Sequence, residues 1–358
     1  MSKTLKYARN GAIAGGLGFL LFNLFKQLAR INENPDAKFD WEEFIISGGK
    51  GALIGGSTGL VVGGIKDINN SFEQPLNTSD LLNSAISQMT LDKQNYYYKW
   101  LSGKALKVEK FINSNFNDKL GGTILRIGST EENTALADDF DIDISVPFAP
   151  YSFPSTEVMF DDLCSFFKNN FNDNYLIEIR PQKKSIGLIY NLNGYDFKID
   201  VVPYKLSPKK GNKSSGYLFV NNNSFLKKDS YTKTDISSLK AIELSPTQQR
   251  IIVAIKKWKQ NFNVPISSHL VKLLILDSYK SNQGAIPRDF TKKLLMVLHH
   301  IRNEINFKRI VSVENTNNVL TDMKESKRWR IIKACDEVLD EYEYQPNTIL
   351  NYFGAKHN

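Results

Sequence analysis

Across residues 122–204 the apolar side chains recur at every second position, in the runs TILRIGS, FDIDISVPF, YLIEIRP, KSIGLIYN and YDFKIDVVPY. A strand turns successive side chains to opposite faces, so runs of this kind predict a sheet with one face on a core. A helix is expected over residues 160–171, between the second and third runs. On either side of this block the period becomes helical. One long helical pattern covers residues 81–116, interrupted at Gly103, and beyond Leu239 the residues Ile251, Ile255, Trp258 and Phe262 share one helical face. Further helices are predicted over 270–279, 290–305 and 326–342. The expected fold class is α+β, with a mixed-sheet lobe over 78–235 and a helical lobe over 236–358.

Residues 1–70 have a different character. Two apolar stretches studded with glycine, residues 11–25 and 51–65, flank a polar and net acidic connector, INENPDAKFDWEEF. They predict a helical hairpin whose glycines, Gly11 and Gly15 and then Gly51, Gly55, Gly59 and Gly63, allow close helix approach. Each stretch is shorter than the ~20 residues of a spanning helix. Lys3, Lys6, Arg9 and Lys66 outside an acidic connector nevertheless fit a hairpin with both ends cytoplasmic. Two readings stand side by side: association with the inner face of a membrane, and a glycine zipper that packs on a partner protein or on itself. A polar linker around Pro75 and Asn77 separates the hairpin from the rest.

With 358 residues the chain can form two compact domains or one two-lobed enzyme, and 41% hydrophobic with 23% charged residues excludes wholesale disorder. The formal charge of +8 favours anionic partners such as nucleotides, nucleic acid or acidic lipid, although the lysines are scattered in short groups. Cys164 and Cys335 stand far apart, and the four histidines form no ligand spacing with them. Neither structural zinc nor a disulfide framework is expected, and two reduced thiols suit a cytoplasmic protein.

The chemistry concentrates in FDIDISV. Asp141 and Asp143 lie two apart in a strand and so leave the same face, while Ile142 and Ile144 point into the core. Two neighbouring hard oxygen ligands suit magnesium or manganese. A third carboxylate, Asp200, sits among apolar residues in FKIDVVP, where a lone acid is costly unless paired or bound to metal. Asp138 and Asp139 precede the pair; the continuous strand favours Asp141, with Asp139 as the reserve ligand. Upstream, Gly128 and Ser129 follow the strand TILRI, and a Gly-Ser turn between strand and helix can offer amides and a hydroxyl to a triphosphate.

Taken together, Gly128, Ser129, Thr134, Asp141, Asp143 and Asp200 resemble the nucleotidyltransferase superfamily related to DNA polymerase β. More narrowly they resemble the oligoadenylate-synthetase-like and cGAS/DncV-like group that includes bacterial antiphage signal synthases. In the helical lobe IIVAIKKWKQ is similar to the family's lysine-bearing helix, ISSHLVKLL to the following helix start, and VSVENTNNVL to a segment before the last helices. The resemblance, which covers most of residues 80–345, implies Lys256 and Ser267 as triphosphate contacts, NTP or dNTP substrates, and an effector protein reached through the nucleotide product. No zinc-ribbon insertion is visible, so double-stranded DNA sensing is not expected. The Hailong-type branch has a similar layout, and there a C-terminal tyrosine primes a linear oligodeoxynucleotide; Tyr352 is the corresponding residue. A third reading, of another class, is an inactive fold that only binds nucleotide or RNA.

Overall fold

The computed structural model describes residues 78–208, 215–222 and 230–354. The hairpin expected over residues 1–70 lies outside them. Among the described residues, no helix is long and apolar enough to cross a membrane.

The helical pattern at the start is two helices, α1 (Thr78–Met89) and α2 (Tyr96–Phe116). The break falls at residues 90–95 and not at Gly103, because Asn95 caps α2 by accepting from the amides of Tyr97 at 2.8 Å and Tyr98 at 3.4 Å. Gly103 passes inside α2, where an added Cβ would meet nothing.

The five strand-like runs become β1 (Leu125–Ile127), β2 (Asp141–Phe148), β3 (Leu176–Pro181), β4 (Ile186–Leu192) and β5 (Tyr195–Leu206), with α3 (Thr156–Asn170) after β2. They pair in the order β1-β2-β5-β4-β3, and β6 (Ser215–Val220) with β7 (Ser230–Asp235) extends the far end of β5. Only β2 and β5 run parallel, so the sheet is mixed. One face carries Ile142, Ile144, Val146, Ile199 and Val201 into a core against Leu101, Val108 and Ile112 of α2 and Phe160, Leu163 and Phe167 of α3. The alternation frees the opposite face of β2 and β5 for polar side chains.

The helical lobe follows as α4 (Ile236–Lys240), α5 (Pro246–Asn261), α6 (Ser268–Ser281), α7 (Phe290–Glu304), a small hairpin of β8 (Val311–Ser312) and β9 (Asn315–Val319), then α8 (Glu325–Tyr344) and α9 (Ile349–Phe353). Helix α5 starts at a full capping box, with Ser245 and Gln248 exchanging bonds and Pro246 in the first turn. It turns Ile251, Ile255 and the fully buried Trp258 into the lobe's core. Leu82 and Ile86 of α1 pack into the same core, so the first helix of the described chain supports the lobe formed by the last ones. Cys164 lies in the sheet core and Cys335 in the helical core, both buried.

Candidate functional site

Register puts the acidic residues together. Asp143 of β2 stands directly opposite Asp200 of β5, and Asp141 opposite Lys198. All these side chains leave the face away from α2 and α3. One oxygen from each of Asp141, Asp143 and Asp200 lies within 4.8 Å of the others. Asp141 and Asp143 are half-buried and Asp200 is buried. Asp139, the reserve, is exposed outside the cluster and accepts from Gln260 at 3.4 Å.

Crowded carboxylates in a poorly solvated place resist ionisation. Burial, followed by the charges of Asp141 and Asp200, pushes Asp143 up to about 7. Burial also raises Asp200, against the opposing pull of its bond from Lys198. Two neighbours absent from the sequence argument hold Asp200 in place. Gln182 Nε2 donates to its Oδ1 at 3.1 Å, and Lys198 Nζ lies 2.9 Å from its Oδ2 and 3.3 Å from Asp141 Oδ2. Burial works against the Lys198 charge, but the two carboxylates outweigh it and raise its pKa.

Gly128 explains its own identity. It has φ of +83°, and a Cβ there would collide with Asp143 Oδ2. The turn residues after it, 129–133, form no helix, contrary to the strand-to-helix turn expected. The Thr134 amide donates to the Ser129 carbonyl at 2.9 Å and the Glu132 amide to that of Gly128 at 3.1 Å, which folds the loop back on itself.

Gly128 and Ser129 also line a cavity of about 410 Å³ between the sheet and the helical lobe. Its basic wall comes from Lys256 of α5 and Lys272 of α6. Lys256 Nζ donates to the Thr134 carbonyl at 2.8 Å, and burial lowers its pKa to about 8 despite the nearby charges of Glu132 and Asp141. Lys272, nearly buried, pairs with Glu132 at 2.8 Å.

The adjacent serines divide between two roles. Ser267 is exposed and caps α6, accepting from the Leu270 amide at 3.2 Å, whereas Ser268 lines the cavity and accepts from Lys259 at 3.3 Å. Tyr352 stands apart from the cavity wall. It is 8% exposed, its ring packs on Phe262 with centroids 5.2 Å apart, and its hydroxyl is bonded to Glu341.

The donor set fits a hard divalent cation. All three ligands are carboxylates, the Gly128 backbone leaves room for Asp143, and the Lys198 ammonium already sits as a positive charge between Asp141 and Asp200.

No family model matches the chain, and no curated protein matches it. Solved structures do. The chain is similar to CdnC of E. coli MS115-1 with ATP, at TM-score 0.60 and 18% identity over 78% of this chain and 98% of that one. The complex of CdnC with HORMA-deltaN gives TM-score 0.58 and 18% identity over 76% and 96%. The CD-NTase CdnG of Bradyrhizobium diazoefficiens in complex with GTP gives TM-score 0.58 and 13% identity over 77% and 96%. At these identities the likeness is one of fold: the sheet and helical lobe have the arrangement of the bacterial CD-NTases, the group that the motif residues resemble.

Proposed function

We propose that this chain is a divalent-cation-dependent nucleotidyltransferase that joins nucleoside triphosphates into a nucleotide second messenger, a cyclic di- or oligonucleotide, in antiphage defence. One observation carries the reading. Gly128 touches both halves of the site: it abuts Asp143 of the carboxylate cluster and lines the cavity with Lys256 and Ser268. An acidic cluster beside a lysine-bearing cleft is what transfer of a nucleotidyl group requires. The CD-NTase fold supports the same reading, as do the ATP and GTP named with CdnC and CdnG.

Asp141, Asp143 and Asp200 would hold Mg2+ or Mn2+. Bound there, the cations would neutralise charge on the attacking oxygen and on the departing pyrophosphate. Lys256 and Ser268 face the cavity with the donors a triphosphate needs, and the Gly128-Ser129 turn lies beside them. Ser267 keeps the start of α6 in place through its cap. An acceptor hydroxyl near Asp200 would attack the α-phosphate in line, forming the phosphodiester bond as pyrophosphate leaves. The nucleotide product would then act on an effector protein.

The test is incubation of the full chain with each NTP and dNTP and Mg2+, followed by mass spectrometry. Cyclic or linear oligonucleotides from NTPs support the reading. A dNTP oligomer attached to Tyr352 would replace it with a primed linear synthase, which requires Tyr352 to leave Phe262 and Glu341. No product from any substrate would favour a binding module.

A further inference from the structure

Lys198 contacts two of the three carboxylates that a divalent cation would need. Its ammonium lies 3.3 Å from Asp141 Oδ2 and 2.9 Å from Asp200 Oδ2. The other oxygen of Asp200, Oδ1, accepts from Gln182 at 3.1 Å. Gln182 is itself held, accepting from Ser185 Oγ at 3.1 Å, and it lies over Gly187, where a Cβ would collide with its amide. Gln182 therefore fixes the orientation of the Asp200 carboxylate, and its Oδ2 faces the Lys198 ammonium.

The geometry is a consequence of strand register. Lys198 is two residues before Asp200 on the same face of β5 and pairs across to Asp141 of β2. Its backbone cannot withdraw without breaking the central parallel pair of the sheet. Its side chain can, being about one-third exposed at 32%. The ammonium can thus leave the carboxylates by changing rotamer while the sheet stays intact.

We propose that Lys198 is a tethered counter-cation, which balances the carboxylate cluster before a divalent cation enters and must move off Asp141 and Asp200 as it does so. The proposal rests on the cation-binding role assigned to these carboxylates. Two consequences follow by linkage, since two positive groups compete for the same oxygens. The cation-free chain is held together at the site by Lys198. The affinity for a bare cation is lowered by the same amount that Lys198 stabilises the empty cluster. Lys198 is a positioning residue in this account, acting through Asp141 and Asp200.

The experiment titrates the full chain with Mn2+ alone, without nucleotide, and follows free Mn2+ by electron paramagnetic resonance. Lys198→Met should bind Mn2+ about tenfold tighter than the wild type, the scale of a lost charge-assisted hydrogen bond. It should also unfold at a lower temperature in chelator. Lys198→Arg should stay near the wild-type affinity. Equal or weaker Mn2+ binding by Lys198→Met overturns the proposal while leaving the cation site standing. Absence of Mn2+ binding in the wild type and in Lys198→Met overturns both. A measurement on the wild type alone covers the case of a variant that does not fold. Saturating Mn2+ should raise acylation of Lys198 by an amine-reactive reagent, read peptide by peptide, and unchanged acylation with Mn2+ bound overturns the proposal.

Discussion

The two walls of the cleft position their charges differently. On the sheet side, Asp141, Asp143 and Asp200 are placed by backbone pairing: a two-residue spacing in β2 and a direct cross-strand register with β5 bring their oxygens within 4.8 Å. On the helical side, Lys256 and Lys272 come from separate helices, and each reaches across to a carbonyl or carboxylate of the opposite lobe, at Thr134 and Glu132. The acidic wall is fixed by strand pairing and electrostatically costly. The basic wall depends on how the lobes meet. Substitutions on the first should therefore change the chemical step, and those on the second should mainly change binding or stability.

The sharpest contrast comes from Asp200→Asn. It keeps the shape of the wall and removes a ligand charge, so kcat should fall about 10³-fold or more, with little change in far-UV circular dichroism. A fall under tenfold would break the distinction. Gly128→Ala tests the wall at its junction with the cavity. The methyl group meets Asp143 Oδ2 at a positive φ. Displacing that carboxylate should lower kcat/KM about 10²-fold, and the strain should cost roughly 1–3 kcal/mol in denaturant unfolding.

Much of the acidic wall was legible because period two is a strong local signal. Lys198 and Asp200 are also two apart in FKIDVVP, so the same spacing that puts Asp141 and Asp143 on one face puts Lys198 beside Asp200. Gln182 left no such trace. Its bond to Asp200 arises only when the residues between β3 and β4 fold over Gly187. Strands β7 to β9 are short or polar, as in NTNNV of β9, and offer no alternation to read, whereas β6, SGYLFV, carries an apolar run outside the five predicted ones. The helical period placed α5 and α6 to α8 within a few residues. It could not divide Ser267 from Ser268, because an N-cap and a cavity-lining residue are adjacent positions of one helix start. The break between α1 and α2 leaves no mark in the helical period, because Asn95 is a side-chain cap inside an otherwise helical pattern.

A smaller effect separates the walls by pH. In the folded, cation-free chain Asp143 keeps its proton up to about 7, whereas its ordinary value is 3.8. The folded state binds more protons in that window, so stability should fall as pH rises through it. Thermal unfolding in chelator should show this slope, and Asp143→Asn should reduce it to the part that Asp200, also raised by burial, contributes. An unreduced slope would assign it to another group.

The smallest expected effect lies on the basic wall. Ser267→Ala should cost about 1 kcal/mol of stability through the lost cap and leave KM close to wild type. Ser268→Ala should raise the nucleotide KM roughly fivefold, the worth of one hydrogen bond. The reverse pattern would move the phosphate contact to Ser267.

The central claim is that the carboxylates form the reacting centre of a nucleotidyltransferase. Its most direct test is pyrophosphate release from a mixture of nucleoside triphosphates, with the wild type and the Asp141→Asn, Asp143→Asn double variant compared in Mg2+ and in chelator. The account predicts release by the wild type in Mg2+ alone, and none by the folded double variant in either condition. Equal release by both proteins would contradict it.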